Sequence, residues 1–384
     1  MRRSRLAVPL VLAAACGVSA ISLVAQRRPP VDIPSKVRPI QAPDKPLPPE
    51  DESAGVTRFS FFAYGDTRSA SGPDGDGQVR NPEHGKIVDL MLSRAKALSS
   101  TPFPVRFVVQ TGDAVLRGPT ADMWNVSFTP IINRLTGAGI PYFFTVGNHD
   151  VTGMPIGDPQ REAGLANSLS AISQLIPPED SPRRLKDYPT YAFGYGNAFF
   201  VFFDSDIASD PLQFTWVQNQ IERLDRARYP HIVAVFHHPI FSSGPHGGKT
   251  IEPSSVALRN LYLPMFRRNH VRLLLTGHDH LFDHFAELYD DNGVTYRMDD
   301  IVTGGGGAPI YVYDSEPNLS AYLDAGKAQN VRVQHLTKPG RRPEDNPHHF
   351  VVVQVDGDKL SVEVVGTGPF TYRPYNGRAR LDLQ

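Results

Sequence analysis

Short polar clusters in this chain carry residue types that bind metal ions and transfer protons. They are Gly65-Asp66-Thr67-Arg68, Gly112-Asp113, Gly147-Asn148-His149-Asp150, His237-His238-Pro239 and Gly277-His278-Asp279-His280. Carboxylate, amide and imidazole groups together suit a divalent or trivalent ion of borderline hardness, such as Fe, Mn, Zn or Co. The chain holds a single cysteine, Cys16. A cysteine-rich zinc or iron–sulfur site is therefore excluded.

Each cluster follows a short apolar segment that is typical of a buried strand. Such segments are residues 59–64, 105–110, 142–146, 199–203, 232–236 and 271–276. Helical spacing marks residues 83–98, 210–226 and 253–268 between them. This alternation predicts an α/β fold with a largely parallel sheet, which antiparallel strands at 350–355 and 360–365 join late. Because ligands bind beyond the carboxyl ends of strands in open α/β sheets, we expect the clusters to meet at one site.

The overall composition limits the possible partners. Lys and Arg number 39 and Asp and Glu number 40, which gives a net charge of -1. The chain thus lacks the excess positive charge that binds nucleic-acid phosphates, and nucleic acid is not expected as a general ligand. Glycine and proline make up about a sixth of the residues, which is below the level of low-complexity disorder. A large folded domain is therefore expected.

The N-terminal segment has the pattern of an export signal. Arg2, Arg3 and Arg5 precede an uncharged stretch over residues 6–25. The sequence is compatible with three forms of this segment: a cleaved signal, a lipoprotein signal with a lipid on Cys16, and an uncleaved membrane anchor. Residues 26–56 are rich in proline and are expected to form an extended tether, which would hold the protein near a membrane if the segment stays attached. We predict an exported protein that is periplasmic, extracellular or anchored on the outer side of a membrane.

The polar clusters, in their order along the chain, resemble the motif series of the calcineurin-like metallophosphoesterases. That series runs D-x-H, G-D-x-x-D or G-D-x-x-Y, G-N-H-D/E, a lone His and G-H-x-H. The segments Phe236-His237-His238-Pro239 and 301–309 are similar to the exported, purple-acid-phosphatase-like branch. The resemblance implies a four-layer αββα sandwich, with two mixed sheets flanked by helices, over residues 57–370. Residues 371–384 are expected to form a C-terminal tail.

The resemblance also implies a role for each site residue. Asp113 would bridge two metal ions, Asn148, His237 and His278 would complete the second ion, and Asp66 and His280 would hold the first. His149 would face the substrate as a proton donor, with Asp150 orienting its ring, and Asn148 would also contact the substrate. His237 is preferred to His238 because the family places the ligand two residues before proline.

Two positions depart from the family pattern. Arg68 stands where D-x-H has its histidine, and Leu116 stands where purple acid phosphatases have tyrosine. The first ion would keep only three identifiable protein ligands. Arg68 is predicted to contact a substrate phosphate, for which a guanidinium is well shaped, or to pair with a ligand carboxylate.

The expected function is metal-dependent hydrolysis of phosphate esters at a binuclear centre. Two ions about 3.5–4 Å apart can clamp a phosphoryl group and make hydroxide available near neutral pH. A phosphodiesterase acting on nucleotides or lipid head groups is an alternative. A non-catalytic protein that binds phosphate ligands on the same scaffold is another, although a binding site has no need of the His149 proton donor.

Overall fold

The computed structural model of the protein describes residues 34–69, 81–247, 251–326, 331–378 and 380–383. The predicted export segment at 1–25, including Cys16, and the first part of the proline-rich segment lie outside these residues. Within the described ranges, no helix combines the length and the apolar character that crossing a membrane requires.

The described residues contain thirteen strands and eight α-helices. The strands are β1 Arg58–Tyr64, β2 Val105–Gln110, β3 Tyr142–Phe144, β4 Tyr191–Tyr195, β5 Ala198–Phe202, β6 His231–Val235, β7 Leu273–Thr276, β8 Phe282–Asp291, β9 Val294–Thr303, β10 Arg332–Thr337, β11 His349–Asp356, β12 Lys359–Gly366 and β13 Leu381–Leu383. The α-helices are α1 Pro82–Leu98, α2 Thr129–Thr136, α3 Asn148–Val151, α4 Pro159–Ile172, α5 Pro211–Glu222, α6 Pro253–Ala257, α7 Leu263–Arg268 and α8 Pro317–Gly326.

The strands form two mixed sheets, as the resemblance implies. The first sheet has the order β13-β12-β11-β1-β2-β3 and the second has the order β10-β8-β9-β7-β6-β5-β4. Strands β1, β2 and β3 run parallel, and so do β5, β6, β7 and β9. The parallel strands predicted from the alternating pattern are thus divided between two sheets rather than placed in one. The remaining strands extend both sheets by antiparallel pairing.

Side-chain alternation along the strands produces the four layers. In β6, Val233 and Val235 belong to the core between the sheets, whereas Ile232 and Ala234 pack with α5 and α7 on the outer face. Helices α1 and α2 cover the outer face of the first sheet. Aromatic rings join the sheets: Phe107 lies 5.1 Å from Phe200 between ring centroids. This confirms the predicted α/β sandwich with flanking helices.

The described part of the proline-rich segment packs on the domain, which corrects the expectation of an extended tether there. Ile40 is fully buried, and its N–H donates to the Ala171 carbonyl of α4 at 2.8 Å. The Gln41 N–H donates to Asn133 Oδ1 of α2 at 2.8 Å. The C-terminal residues also join the fold, because β13 pairs with β12. In both segments a few apolar side chains find a core, although the composition around them is typical of a linker.

Replacing Ile40 with alanine tests this packing. We expect Ile40→Ala to lower the free energy of unfolding by about 2–5 kcal/mol, because it leaves a cavity in a close-packed core. Gln41→Ala is the matched control, since Gln41 is exposed and bonds through its backbone. The control should stay within about 0.5 kcal/mol of the wild type in urea unfolding. Equal stability of the two variants would contradict the packed arrangement.

Candidate active site

The predicted site residues meet at the carboxyl ends of strands from both sheets. Asp66, Asp113 and Asn148 follow β1, β2 and β3 of the first sheet. His237 follows β6 of the second sheet, and His278 and His280 follow β7. The site therefore lies across the sandwich, and its halves come together only when the sheets pack.

The loops that carry these residues turn sharply. Asp66, Asp113 and His278 all have positive φ, at 57°, 55° and 69°. Non-glycine residues in this region cost about 1–3 kcal/mol each, and such strain concentrates at functional sites. Gly112, before Asp113, also has a positive φ of 103°, and a Cβ there would lie 2.6 Å from His237 Nδ1. Only glycine allows the β2 loop to approach the His237 ring this closely.

Three possible metal-ligating atoms surround Nε2 of His237. Its Nε2 lies 3.1 Å from Asn148 Oδ1, 3.3 Å from Asp113 Oδ1 and 3.2 Å from His278 Nδ1. Metal–ligand bonds of about 2.1 Å give ligand–ligand separations of about 3.0–3.4 Å in a regular coordination shell. The distances from His237 Nε2 are therefore those between neighbouring ligands of a metal ion.

In His237 and His278, the ring nitrogen that faces away from the site determines which nitrogen carries the proton. His237 Nδ1 lies 2.9 Å from the Thr111 carbonyl, and His278 Nε2 lies 2.9 Å from Glu252 Oε2. Carbonyl and carboxylate oxygens only accept, so these nitrogens donate and the facing nitrogens carry lone pairs. In the neutral rings these two lone pairs, 3.2 Å apart, repel unless a metal ion or a shared proton lies between them. The residues proposed for the second ion thus fit a metal.

The local charges favour positive charge at the same point. Burial lowers the pKa of His237, but the charges of Asp113, Asp66 and Asp206 outweigh it and raise the pKa to about 9. Burial alone would raise the pKa of Asp113, yet His237, His149 and Arg68 hold it well below the usual range. The buried carboxylates therefore require cations beside them.

The residues proposed for the first ion form an adjacent group. Donor atoms of Asp66, Asp113 and His280 lie within 4.8 Å of one another. His280 Nδ1 donates to the Pro309 carbonyl at 2.7 Å, which leaves a lone pair on Nε2 at 3.4 Å from Asp66 Oδ1. This group differs from the second in one respect: the guanidinium of Arg68 lies against it. Its Nε is 3.6 Å from Asp113 Oδ2.

His149 lies at the open side of the site. Its Nδ1 donates to the Leu116 carbonyl at 2.9 Å, and its Nε2 lies 3.9 Å from Asp113 Oδ2. The side chain is 32% exposed, unlike the buried side chain of Asp113. Nε2 is thus the nitrogen that can reach a bound molecule.

Asp150 does not orient the His149 ring, which corrects the role predicted for it. Its carboxylate is fully buried and accepts the N–H groups of Ala114, Val115 and Gly147 at 2.9–3.2 Å. On the short helix α3 its side chain points into the fold while that of His149 points outward. Asp150 therefore joins the loop after β2 to the loop after β3, and the Leu116 carbonyl orients the imidazole.

Sequence reasoning missed Glu252, which lies among three histidines. Its carboxylate is 2.9 Å from His278 Nε2, 2.9 Å from His246 Nδ1 and 3.5 Å from His238 Nε2. Burial raises its pKa, but hydrogen bonds from His246 and His278 outweigh this and lower the pKa well below the usual range. Glu252 belongs to none of the motif segments, so no motif marks it. His238 contacts Glu252 and Ser205, whereas His237 faces Asp113 and Asn148.

The similarity of the chain to known proteins agrees with this arrangement. Residues 84–282, more than half of the chain, match the family model for calcineurin-like phosphoesterase. A probable purple acid phosphatase 20 of Arabidopsis thaliana is 26% identical over 196 residues, which cover 48% of this chain and 43% of that protein. Purple acid phosphatase 23 of the same plant is 22% identical over 225 residues, covering 58% and 41%. The chain thus spans less than half the length of these curated relatives.

A solved structure supports the same fold. A purple acid phosphatase from seeds of yellow lupin (Lupinus luteus) superposes with a TM-score of 0.59 at 15% identity, covering 90% of this chain and 54% of that chain. Two mixed sheets, the order of the polar clusters and the family match agree, and the chain belongs to the calcineurin-like phosphoesterase family.

Proposed function

We propose that this protein hydrolyses phosphate esters with the help of a bound metal ion. The observation that carries the proposal is that His237 Nε2 lies 3.1–3.3 Å from Asn148 Oδ1, Asp113 Oδ1 and His278 Nδ1. These residues would hold an ion of Fe, Mn, Zn or Co. Such an ion acts as a Lewis acid on a phosphoryl group and makes hydroxide available near neutral pH. The family match supports this chemistry.

A binuclear centre would also hold the first ion of the family pattern, among Asp66, Asp113 and His280. The donor atoms are present, and the Asp66 Oδ1 has no hydrogen-bond partner among the described residues. Arg68 occupies the same pocket with a permanent positive charge, however. The number of ions therefore depends on this guanidinium.

His149 is the proposed proton donor to the leaving alcohol. Because its Nδ1 is held by the Leu116 carbonyl, a protonated ring presents its transferable proton on Nε2. A pocket of about 290 Å³ lies beside it, lined by residues that include Arg117, Thr120 and Gln160. We place the leaving group in this pocket, with Asn148 and Arg68 contacting the phosphate.

The position of His149 distinguishes the proposed hydrolase from the alternative of a non-catalytic phosphate binder. Its partly exposed Nε2 at the mouth of the site is suited to proton transfer and adds nothing to a buried metal shell. Both monoesters and diesters fit an open site of this kind, so the diesterase alternative stays part of the proposal. Export also remains proposed, on the pattern of residues 1–25.

Metal removal tests the proposed function directly. We expect chelator-treated protein to lose hydrolysis of aryl phosphate monoesters and diesters, and Mn, Fe, Zn or Co to restore it. Calcium is the control ion, since it prefers a shell made entirely of oxygen ligands and should not restore turnover. Full turnover in protein shown to be free of metal would reject the proposal. Comparing the two ester classes also decides which one is preferred.

Replacing Glu252 tests the support of the metal ligand His278. We expect Glu252→Ala to weaken metal binding about 10–100-fold, because the variant loses the acceptor that fixes the His278 tautomer. Glu252→Gln keeps an acceptor oxygen and should lose less. Glu179→Ala is the control, since Glu179 is exposed and pairs with Arg184. Metal titration measures all three variants, and equal affinity of Glu252→Ala and the control would contradict the role.

Replacing His149 tests the proton transfer. We expect His149→Asn to slow hydrolysis of alkyl phosphates by about 10²–10⁴-fold, because their leaving groups need a proton. Aryl esters with acidic leaving groups should slow far less. Metal content measured on the same preparation must match the wild type. An equal loss on both kinds of ester would assign His149 to phosphate positioning instead.

A further inference from the structure

The guanidinium of Arg68 lies against the donor atoms that the family pattern assigns to the first ion. Its Nη2 is 3.5 Å from His280 Nε2, and its Nε is 3.6 Å from Asp113 Oδ2. These are the lone-pair nitrogen of His280 and the second carboxylate oxygen of Asp113. The Arg68 side chain is only 11% exposed, so the charge is held within the site.

The backbone around Arg68 holds it in this position. The Arg68 N–H donates to the Asp113 carbonyl at 3.1 Å, and Thr67 Oγ1 donates to the Ala114 carbonyl at 3.1 Å. The opposite wall is also fixed, because the His280 ring stacks on Tyr311 with centroids 4.0 Å apart. The loop that carries Arg68 is thus tied to the loop that carries the bridging carboxylate.

The charges in the pocket oppose the binding of a metal ion at the first position. A cation bonded to both Asp113 Oδ2 and His280 Nε2 would contact the guanidinium, and like charges at such distances repel strongly away from bulk water. Arginine stays protonated and has no lone pair, so it cannot act as a ligand as the histidine of D-x-H does. Asp66 and Asp113 are the carboxylates of the two ligand groups. One divalent ion and Arg68 together carry three positive charges, which already exceed the two negative charges of these carboxylates.

We propose that the Arg68 guanidinium takes the place of the first ion, so that the centre binds a single ion among Asp113, Asn148, His237 and His278. This inference rests on the proposed function, because it concerns the same metal centre. The guanidinium has five N–H donors, and those that do not face Asp113 and His280 remain for a phosphoryl oxygen. The guanidinium then binds phosphate where the family pattern has an ion.

Manganese binding to the intact protein tests this proposal. We expect the wild type to bind one Mn²⁺ per chain, with the electron paramagnetic resonance spectrum of an isolated ion. Arg68→His restores the family ligand and should bind a second ion, with a spectrum that shows exchange coupling between the two. Arg58→His is the matched control, since Arg58 is a surface residue that pairs with Asp356. The control should bind one ion, and two coupled ions in the wild type would overturn the proposal.

A second measurement keeps the proposal testable if Arg68→His does not fold. In the wild-type background, His280→Ala removes a ligand of the family's first ion only, and we expect one ion to remain bound. His237→Ala removes a ligand of the second position and should abolish the binding. Loss of an ion in His280→Ala would overturn the one-ion proposal.

The failure of this inference is distinguishable from the failure of the proposed function. Two bound ions with metal-dependent hydrolysis would reject only the role of Arg68. Hydrolysis that needs no ion, in a protein that binds none, would reject the proposed function together with the inference. One bound ion with metal-dependent hydrolysis supports both.

Discussion

Lone pairs that are buried and point at one another require a cation between them, and the site of this protein is arranged around that requirement. His237 Nε2 and His278 Nδ1 face each other at 3.2 Å, with oxygens of Asn148 and Asp113 close by. Without positive charge this group would be costly, because each atom has lost its contact with water. The outer hydrogen bonds to Thr111 and Glu252 maintain the arrangement by fixing the tautomers.

The sandwich supplies the distances that this group needs. Asp113 and Asn148 come from the first sheet and His237 and His278 from the second, so the separation of the sheets sets the separation of the ligands. The aromatic rings between the sheets, Phe107 against Phe200 among them, are too large and too closely packed to allow sliding. Packing in the core and geometry at the site are therefore coupled, and changes between the sheets act on the ligands.

Arg68 gives this member of the family a different distribution of charge. A histidine at this position would add a neutral ligand, whereas arginine adds a fixed cation beside Asp113. In the one-ion centre proposed above, one position is strongly ligated and the guanidinium fills the other. Both present positive charge to a phosphoryl group, but only the metal can also act as a Lewis acid on water. The two positions therefore contribute differently to substrate binding and to chemistry.

The sequence alone determined strands β1–β3 and β5–β7, the class of fold and the residues that gather at the strand ends. Short β-branched and aromatic runs, each followed by a polar cluster, are local signals that indicate strands without knowledge of the tertiary structure. The strands β4 and β8–β10 carry no such regular alternation with helices, so the division into two sheets came from the resemblance rather than from periodicity. The packing of Ile40 could not be predicted either, because a proline-rich composition does not reveal where one apolar side chain finds a partner.

Only the tertiary structure decided which atoms face each other. Asp150 stands next to His149 in sequence, yet α3 directs its carboxylate to the backbone of Ala114, Val115 and Gly147. Glu252 carries no motif, and it reaches His278 only because two distant loops lie side by side. Arg68 was visible as a departure from the pattern, but its contacts with Asp113 and His280 depend on how the loops after β1, β2 and β7 converge. Sequence specifies residue type and order along the chain, whereas direction and distance between remote side chains are set by the packing of the sheets.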